Sequence, residues 1–219
     1  MHISGHLLVA NSMALASVGI DAGTRDPEGG VIGRIPGSRE PNGLLEENAR
    51  LDIMRQMQDL GLANTYRLMK SAANEYAAVG VTTAQSGGVN SKLATGLSWF
   101  SKFGVIPQRL ILFPFETEFG EDLFNGNYNP EDYSSDRVVM GAVKLVADGS
   151  IQGFTAFLSA PYYLPYHGDD DYRGYAAISR DKLFEQVEAL HKGGYQIAIH
   201  GNGDQAIEDI LDAFEAAQN

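Results

Sequence analysis

The sequence predicts an α/β protein in which strands and helices alternate along the chain. From residue 64 onward this alternation occurs at least three times. The predicted strands are almost continuously apolar, which is typical of a parallel sheet covered on both faces. A long segment, 149–177, directly follows one strand, where proteins of this class place active-site loops. A doubly wound open sheet and part of a (β/α)8 barrel both fit these observations.

Residues 1–63 have a less regular pattern than the rest of the chain. Their composition predicts a helix over 12–18, followed by a loop rich in Gly, Pro and Asp. Within that loop, 29–35 is predicted to be a short hairpin strand. Residues 44–57 return to a helical composition, so a second helix is expected there.

In the rest of the chain, helices are predicted from the spacing of apolar residues and from the glycines at which they end, and strands from runs of β-branched residues. Residues 120–137 between two of these strands are expected to form a long loop. In order, the predicted elements are a helix over 64–80, a strand over 81–86, a helix over 91–104, strands over 109–115 and 138–148, a helix over 179–194, a strand over 196–200 and a helix over 203–218.

The composition limits the functions and partners of this chain. It has 219 residues, a formal net charge of −12 and no cysteine. The charge argues against binding to nucleic acid or to an anionic membrane surface, since both attract Lys and Arg. The absence of cysteine excludes disulfides, thiolate metal ligands and a cysteine nucleophile. No apolar run approaches the roughly 20 residues that span a bilayer, and no signal peptide is recognised, so we expect a cytoplasmic location.

The turn after His200 supports two different hypotheses. Gly201, Gly203 and Ala206 match the G-x-G-x-x-A pattern of a dinucleotide-binding loop between a strand and a helix. That fingerprint also needs an acidic residue about 20 positions further on, beyond the last residue, Asn219. The other hypothesis is a metal site, because an imidazole at the end of a strand faces the crevice beyond the sheet edge. Small residues after it leave the ring uncovered.

A lysine within an apolar strand strengthens the metal hypothesis. Lys144 lies between two apolar residues, and a buried lysine is unfavourable unless it is paired or chemically altered. One such alteration is reaction with CO2 to a carbamate, which serves as an anionic metal ligand; the alternative is an edge lysine that reaches solvent. Because Lys144 and His200 lie on successive strands, we expect their side chains to converge. Asp148 follows at the mouth of the same strand as Lys144.

Several segments together resemble the metal-dependent amidohydrolase superfamily, in particular the branch that contains N-substituted formamide deformylases. The order and spacing of the segments carry the resemblance, which extends over nearly the whole chain. The segments are SGHLLVANSMALASVGI, DPEGGVIGRIPGSREPNGLLEENA, YAAVGVTTAQSGG, VKLVADGSIQGFTAFLSAPY and LFEQVEALHKGGYQIAIHGNGDQAIEDILDAFE.

The resemblance implies a distorted (β/α)8 barrel with one or two divalent metal ions. In that superfamily a His-x-His pair, a lysine, two further histidines and an aspartate supply the metal ligands. By position, Lys144 matches the fourth-strand lysine and His200 the fifth-strand histidine. The resemblance also places His6 and Asp148 in the substrate pocket. The activity it implies is hydrolysis of an amide or cyclic amide C–N bond in a small molecule.

The chain departs from this pattern because it has only five histidines and no His-x-His, sixth-strand histidine or eighth-strand aspartate. We therefore expect an internal fragment covering barrel strands two to five, with no complete catalytic site and no activity alone. Its expected organisation is a single domain, truncated at both ends, with a loop-rich segment 1–63 and a half-barrel 64–219. Zinc is the expected metal of the full-length parent, with weak or no binding by this chain alone. Open sheet edges predict a homodimer.

Two other functions stay open at this point. One is a non-catalytic regulatory or binding protein that keeps a degenerate amidohydrolase fold. The other is a nucleotide-binding α/β domain, which requires the turn after His200 to bind phosphate.

Overall fold

The structure, a computed structural model, describes residues 1, 2, 4–57 and 61–219. The strands are β1 (Leu7–Val9), β2 (Gly30–Arg34), β3 (Pro41–Glu47), β4 (Thr83–Val89), β5 (Arg109–Pro114), β6 (Val138–Met140), β7 (Val143–Val146) and β8 (Ile197–His200). The α-helices are α1 (Ser12–Ser17), α2 (Leu51–Met57), α3 (Gly61–Ala78), α4 (Ser91–Lys102), α5 (Glu116–Phe124), α6 (Arg180–Lys192) and α7 (Asp204–Gln218). Three short 3-10 helices cover Asn48–Arg50, Pro130–Tyr133 and Ile151–Gly153.

The chain divides into two units, each made of segments that are distant in sequence. The first unit contains the described residues of 1–59 together with 146–186 and 200–219. The second contains the described residues of 60–145 together with 187–199. Strands and helices occur in both units, so the mixed α/β class predicted from the sequence is confirmed. Within the described residues, no helix is long and apolar enough to cross a membrane.

The first unit contains an antiparallel sheet in the order β1–β3–β2. Leu45 of the central strand is fully buried and pairs with Leu8 on one side and Ile32 on the other. Three further apolar residues complete this core: Leu15, Ala49 and Ile53. Helix α1 begins here because the side chain of Asn11 accepts a hydrogen bond from the amide of Ala14 and so caps the first turn.

The second unit contains a parallel sheet in the order β4–β5–β6. Leu110 and Leu112 of the central strand are buried, as expected for a strand between two others. Helix α4, which connects β4 to β5, is capped by Asn90, whose side chain accepts a hydrogen bond from the amide of Leu93. This strand–helix–strand connection is the unit that the alternating pattern of the sequence predicts.

The strand predicted over 138–148 is two strands, and its partner changes between them. Gly141 donates its amide hydrogen to the carbonyl of Leu112, whereas Val143 donates to the carbonyl of Gln196. A side chain at Gly141 would start 2.7 Å from the ring of Phe113, so the glycine permits this close passage. β6 therefore pairs with β5, while β7 forms a two-stranded sheet with β8. The continuous apolar pattern concealed this change of partner.

The helix predicted over 44–57 begins later, because 44–47 belong to β3. Composition favours a helix in this stretch, but backbone pairing with both β1 and β2 determines its conformation. A 3-10 turn and helix α2 follow.

A second difference concerns residues 120–137, which are predicted as a loop. Helix α5 extends into this segment as far as Phe124, and a 3-10 helix covers Pro130–Tyr133.

The long segment 149–177 in the first unit is ordered by stacked aromatic rings. The ring centroid of Phe154 lies 4.9 Å from that of Tyr162 and 5.1 Å from that of Tyr166. The ring of Tyr166 also stacks on that of Tyr172, with a centroid distance of 4.7 Å. The Tyr162 hydroxyl donates to the carbonyl of Ala156, and burial raises the pKa of Tyr162 to about 12. These contacts give a long loop the internal packing that such loops need in order to keep one conformation.

Two phenols attach the same segment to β3. The hydroxyls of Tyr166 and Tyr175 donate to the two carboxyl oxygens of Glu46, at 2.9 and 3.3 Å. Glu46 is buried, and desolvation raises its pKa despite the two hydrogen bonds, which act in the opposite direction. Glu46 thus joins the central strand of the antiparallel sheet to the aromatic loop.

The raised pKa of Glu46 predicts a pH-dependent stability. The folded state holds this proton more tightly than the unfolded state, so the contribution of Glu46 is largest in acid and decreases as pH rises through its raised pKa. In Glu46→Gln that decrease should disappear, which makes the free energy of unfolding less dependent on pH. Urea titrations between about pH 4 and pH 8 measure the free energy of unfolding at each pH. Glu40→Gln, at an exposed position, is the control; equal pH profiles for Glu46→Gln and the unmodified chain would contradict the prediction.

Candidate functional site

The structure places three of the four predicted site residues, His6, Asp148 and His200, in the first unit. His6 immediately precedes β1, His200 is the last residue of β8, and Asp148 follows β7. The imidazole rings of His6 and His200 stack with their centroids 5.8 Å apart and their planes 24° apart. Two histidines from opposite ends of the sequence thus face each other.

His6 is held by a buried acid that the sequence analysis did not identify. Its Nδ1 lies 2.7 Å from Oε2 of Glu47, the last residue of β3. The side chain of Glu47 is 3% exposed and that of His6 is 15% exposed. The backbone repeats the pairing, because the amide of Glu47 donates to the carbonyl of His6. The ring of His6 therefore has a fixed orientation relative to β3.

Glu47 is itself fixed from a second side. Its Oε1 accepts a hydrogen bond of 2.6 Å from the hydroxyl of Thr155, which is fully buried. The backbone of Glu47 has φ 46° and ψ −121°, a conformation that favours glycine and costs a residue with a side chain on the order of 1–3 kcal/mol. The backbone of Gly149 packs closely against the carboxylate of Glu47. A Cβ at this position would lie 2.2 Å from Glu47 Oε1, so only glycine fits here.

His200 is oriented by Asn202, two residues later in the turn. The amide nitrogen Nδ2 of Asn202 lies 2.9 Å from His200 Nε2 and donates a 2.6 Å hydrogen bond to the carbonyl of Gly149. An amide group that donates to a carbonyl also presents a donor to the imidazole, so His200 Nε2 is an acceptor in this arrangement. Asn202 thus connects the predicted ligand to the segment after β7.

Asp148 holds the turn in place. Its carboxylate accepts three backbone hydrogen bonds, from Asn202 to Oδ1 and from Gly203 and Phe157 to Oδ2, at 2.7–2.8 Å. The residue is fully buried. These contacts give Asp148 a positioning role in the described structure, whereas its predicted contact with substrate stays a prediction.

The same hydrogen bonds decide between the two hypotheses for the turn. A dinucleotide-binding loop offers its backbone N–H groups to a phosphate. Here the amides of Asn202 and Gly203 already donate to the carboxylate of Asp148. A Cβ at Gly203 would lie 1.9 Å from the carbonyl of Phe157, so this glycine serves close packing within the protein. The glycine pattern therefore does not indicate phosphate binding.

Asp204 extends the connection between the turn and the long segment. Its carboxylate accepts hydrogen bonds from the backbone amide of Ser159, at 2.9 Å, and from the hydroxyl of the same residue. The bond from the hydroxyl is the main reason that the pKa of Asp204 is lowered. Together, Asp148 and Asp204 attach the start of the segment 149–177 to the turn that follows His200.

Lys144, the fourth predicted site residue, belongs to the second unit and lies in β7. It forms a parallel bridge with Phe115, at the end of β5. Burial lowers the pKa of Lys144, because its removal from water disfavours the charged ammonium group. Its side chain is half-buried, and its function as a metal ligand stays a prediction.

The remaining histidines have other surroundings. His2 contacts Ser4, and His167 is exposed beside the ring of Tyr166 in the aromatic loop. His191 is exposed in the last turn of α6, where basic side chains interact favourably with the helix dipole. Among the described residues there is no group of three or more His, Asp or Glu side chains that could hold a metal ion.

Sequence reasoning missed Glu47, Thr155 and Asn202, the three residues that orient the histidines. Glu47 lies within a stretch whose composition predicts a helix, and Thr155 is 108 residues away from it in the sequence. Only Asn202 gave a local signal, because it lies in the turn that follows a strand-terminal histidine. Because such partners meet only in the folded chain, local patterns do not identify them.

The role of Asp148 predicts a large loss of stability in Asp148→Asn. The asparagine side chain of the variant keeps one acceptor oxygen, but its NH2 group faces backbone N–H donors. Hydrogen bonds to a charged acceptor contribute about 1.5–3 kcal/mol each, and these are weakened or lost. We expect the free energy of unfolding, measured by urea titration, to fall by at least about 2 kcal/mol. Asp52→Asn removes a carboxylate that is 64% exposed and pairs with Arg55, so it should change the free energy by less than about 1 kcal/mol. Equal effects of the two substitutions would contradict the assigned role.

Comparisons with known proteins agree with this architecture. The chain is 29% identical to Protein LONG AFTER FAR-RED 3 of Arabidopsis thaliana, over 99% of this chain and 38% of that protein. It is 29% identical to the N-substituted formamide deformylase of Arthrobacter pascens, over 98% of this chain and 40% of that protein. A crystal structure of an uncharacterized metal-dependent hydrolase from Pyrococcus horikoshii has a similar fold, with a TM-score of 0.68 and 22% identity over 96% of this chain and 40% of that one.

The extent of these matches determines what they establish. The chain spans about two fifths of the length of the curated relatives it matches. The model of the amidohydrolase family, in contrast, matches the chain along its whole length, over residues 1–219. The segments from SGHLLVANSMAL to the turn after His200 are therefore parts of one family pattern, and the chain belongs to the amidohydrolase family.

Proposed function

We propose that this chain forms part of the active site of a metal-dependent hydrolase that cleaves amide or cyclic amide C–N bonds. The observation that carries the proposal is the stacked pair His6 and His200, each oriented by its own hydrogen-bond partner, in a chain that matches the amidohydrolase family throughout. Imidazoles held in this way accept and donate protons or bind a metal ion, as hydrolysis requires.

The proposed architecture is part of a (β/α)8 barrel that contributes strands two to five. The parallel sheet β4–β5–β6, the helices between its strands and the strand-terminal position of His200 support it. In such barrels the active site lies beyond the carboxyl ends of the strands. The cleavage of a C–N bond in a small amide is supported by the name of one relative, an N-substituted formamide deformylase.

We further propose a divalent metal, with zinc as the first candidate, for the whole protein. Lys144 and His200 are the two ligands that this chain would supply. Two ligands do not complete a zinc site, which takes three or four protein side chains, and the described residues contain no larger metal-ligating group. The described residues contribute positioning: Asn202 orients His200, and Asp148 fixes the turn that carries both.

The proposed assembly is a homodimer. Four large apolar side chains in the second unit are exposed by 60–80% of their surface: Leu62, Val79, Trp99 and Phe103. The rings of Trp99, on α4, and Phe103, the residue that follows this helix, also pack against each other, with their centroids 5.5 Å apart. Apolar surface of this kind is a common site of protein association. Light scattering at micromolar concentration should give twice the chain mass of 23.7 kDa; a single-chain mass that persists on concentration would reject the dimer.

Substitution of His200 tests the proposed hydrolase. In the whole protein, loaded with zinc, we expect turnover of N-substituted formamides or cyclic amides, and His200→Ala should lower kcat/KM by at least about 100-fold. His191→Ala removes an exposed histidine from the end of α6 and should leave the rate unchanged. Absence of turnover on every such substrate would instead favour a non-catalytic regulatory or binding protein with this fold. Equal rates for His200→Ala and the unmodified protein would remove His200 from the site.

A further inference from the structure

Three asparagines of the chain are each followed directly by a glycine: Asn42, Asn125 and Asn202. An Asn-Gly pair loses its side-chain amide without an enzyme when the backbone nitrogen of the glycine attacks the side-chain carbonyl, because glycine has no side chain to hinder the approach. The reaction requires that the asparagine side chain can rotate towards that nitrogen and that no hydrogen bond holds the nitrogen. All three asparagines are exposed to solvent, so exposure alone does not distinguish them.

The structure prevents both movements at Asn202. The amide nitrogen of Gly203, which would have to attack, donates a 2.7 Å hydrogen bond to the buried carboxylate of Asp148. The side-chain amide of Asn202 donates to the carbonyl of Gly149 at 2.6 Å and lies 2.9 Å from His200 Nε2. The contacts that orient His200 therefore also keep Asn202 from reacting.

Strand pairing holds Asn42, which lies in β3. Its Nδ2 donates to the carbonyl of Arg34 at 3.2 Å, and its Oδ1 accepts a 2.9 Å hydrogen bond from the amide of Leu44. The carbonyl of Gly43 accepts a hydrogen bond from the amide of Ala10, and a Cβ at Gly43 would lie 2.5 Å from the carbonyl oxygen of the same residue. Rotation of the Asn42 side chain towards the attacking nitrogen breaks its contacts with the sheet.

Asn125 differs from the other two asparagines in both respects. It follows the last residue of α5, and its side chain has no hydrogen-bond partner among the described residues. Gly126 is exposed and has φ 71°, and nothing but its chain neighbours lies within 4 Å of the place that a Cβ would take. Its amide makes no backbone hydrogen bond in the part of the chain that the structure describes. This pair therefore reaches the reactive geometry by local rotation, without the opening of a helix or sheet.

We propose that Asn125–Gly126 is a site of spontaneous deamidation in the folded protein and that the fold protects Asn42 and Asn202. The Gly126 nitrogen loses its proton to a base in the solvent and forms a bond with Cγ of Asn125. The Cγ–Nδ2 bond breaks, and Nδ2 takes up a proton from water and leaves as ammonia. Water then opens the cyclic succinimide at either carbonyl, which gives aspartate or isoaspartate. No oxidation or reduction occurs, and the chain gains one negative charge.

The modification changes the C-terminal end of α5. Here the amides of Asn127 and Tyr128 both donate to the carbonyl of Asp122. Isoaspartate adds a methylene group to the main chain just before these two donors, and either product places a carboxylate at a helix C-terminus, where negative charge is unfavourable. The ring of Tyr128 packs edge-on against that of Phe119, with centroids 5.4 Å apart, so we expect this packing to loosen when the turn is modified.

Peptide mapping of the 219-residue chain tests the proposal. The chain is incubated at mildly alkaline pH, either folded or in concentrated urea, and trypsin then places the three asparagines in separate peptides, 40–50, 110–137 and 193–219. Mass spectrometry detects the replacement of NH2 by OH at each asparagine. In the folded chain Asn125 should react at least about tenfold faster than Asn42 or Asn202, because these two react only after local opening. In urea the three rates should converge.

Asn125→Gln is the control, because its longer side chain reaches the same nitrogen only through a larger ring that forms more slowly. The variant should keep the urea transition of the unmodified chain and lose the acidic form that isoelectric focusing detects after incubation of the folded chain. Equal rates at the three asparagines in the folded chain overturn the proposal, as does an unreacted Asn125 under conditions in which it reacts in urea. The same order of rates with and without urea would assign the difference to local sequence and overturn protection by the fold.

Discussion

The first unit depends on one buried carboxylate, that of Asp148. A buried charge is strongly unfavourable unless it is compensated, and here three backbone N–H groups surround it. Those donors come from two segments that are distant from each other in the sequence, at Phe157 and at Asn202 and Gly203. Because all three must be present for the charge to be tolerated, the path of the long segment and the turn after His200 are determined together. The orientation of the His200 ring follows from the same turn.

Glu46 and Glu47 show how adjacent acids acquire different roles. Both are 3% exposed, and they are the last two residues of β3, a strand that lies between two others. Alternation along a strand turns successive side chains to opposite faces, so the two acids meet different partners. Glu46 meets two phenols and anchors the aromatic loop, whereas Glu47 meets His6 and Thr155. Their contrast arises from the direction in which the backbone turns each side chain and not from any difference in side-chain chemistry.

The sequence predicted the helices and strands whose signals are local. It did not predict the secondary structure of segments whose conformation depends on pairing with a distant part of the chain. The helix and strand around His200 were predicted within a residue or two, because a glycine turn separates two apolar periods there. The break at Gly141 was missed, since a strand that changes partner keeps its apolar pattern. The strand nature of 44–47 was missed because its composition favours a helix and its pairing with β1 and β2 is not local. Of the candidate site, the histidines could be predicted, but the groups that orient them could not.

A histidine at a strand end can act in several ways, and its hydrogen-bond partner selects among them. A ring that contacts a carboxylate has its proton fixed on the contacting nitrogen, whereas a ring that contacts an amide donor presents a lone pair to it. His6 has the first kind of partner and His200 the second. The two stacked rings are therefore chemically different although their positions are similar. The two identical residues gain this asymmetry from their different partners, Glu47 and Asn202.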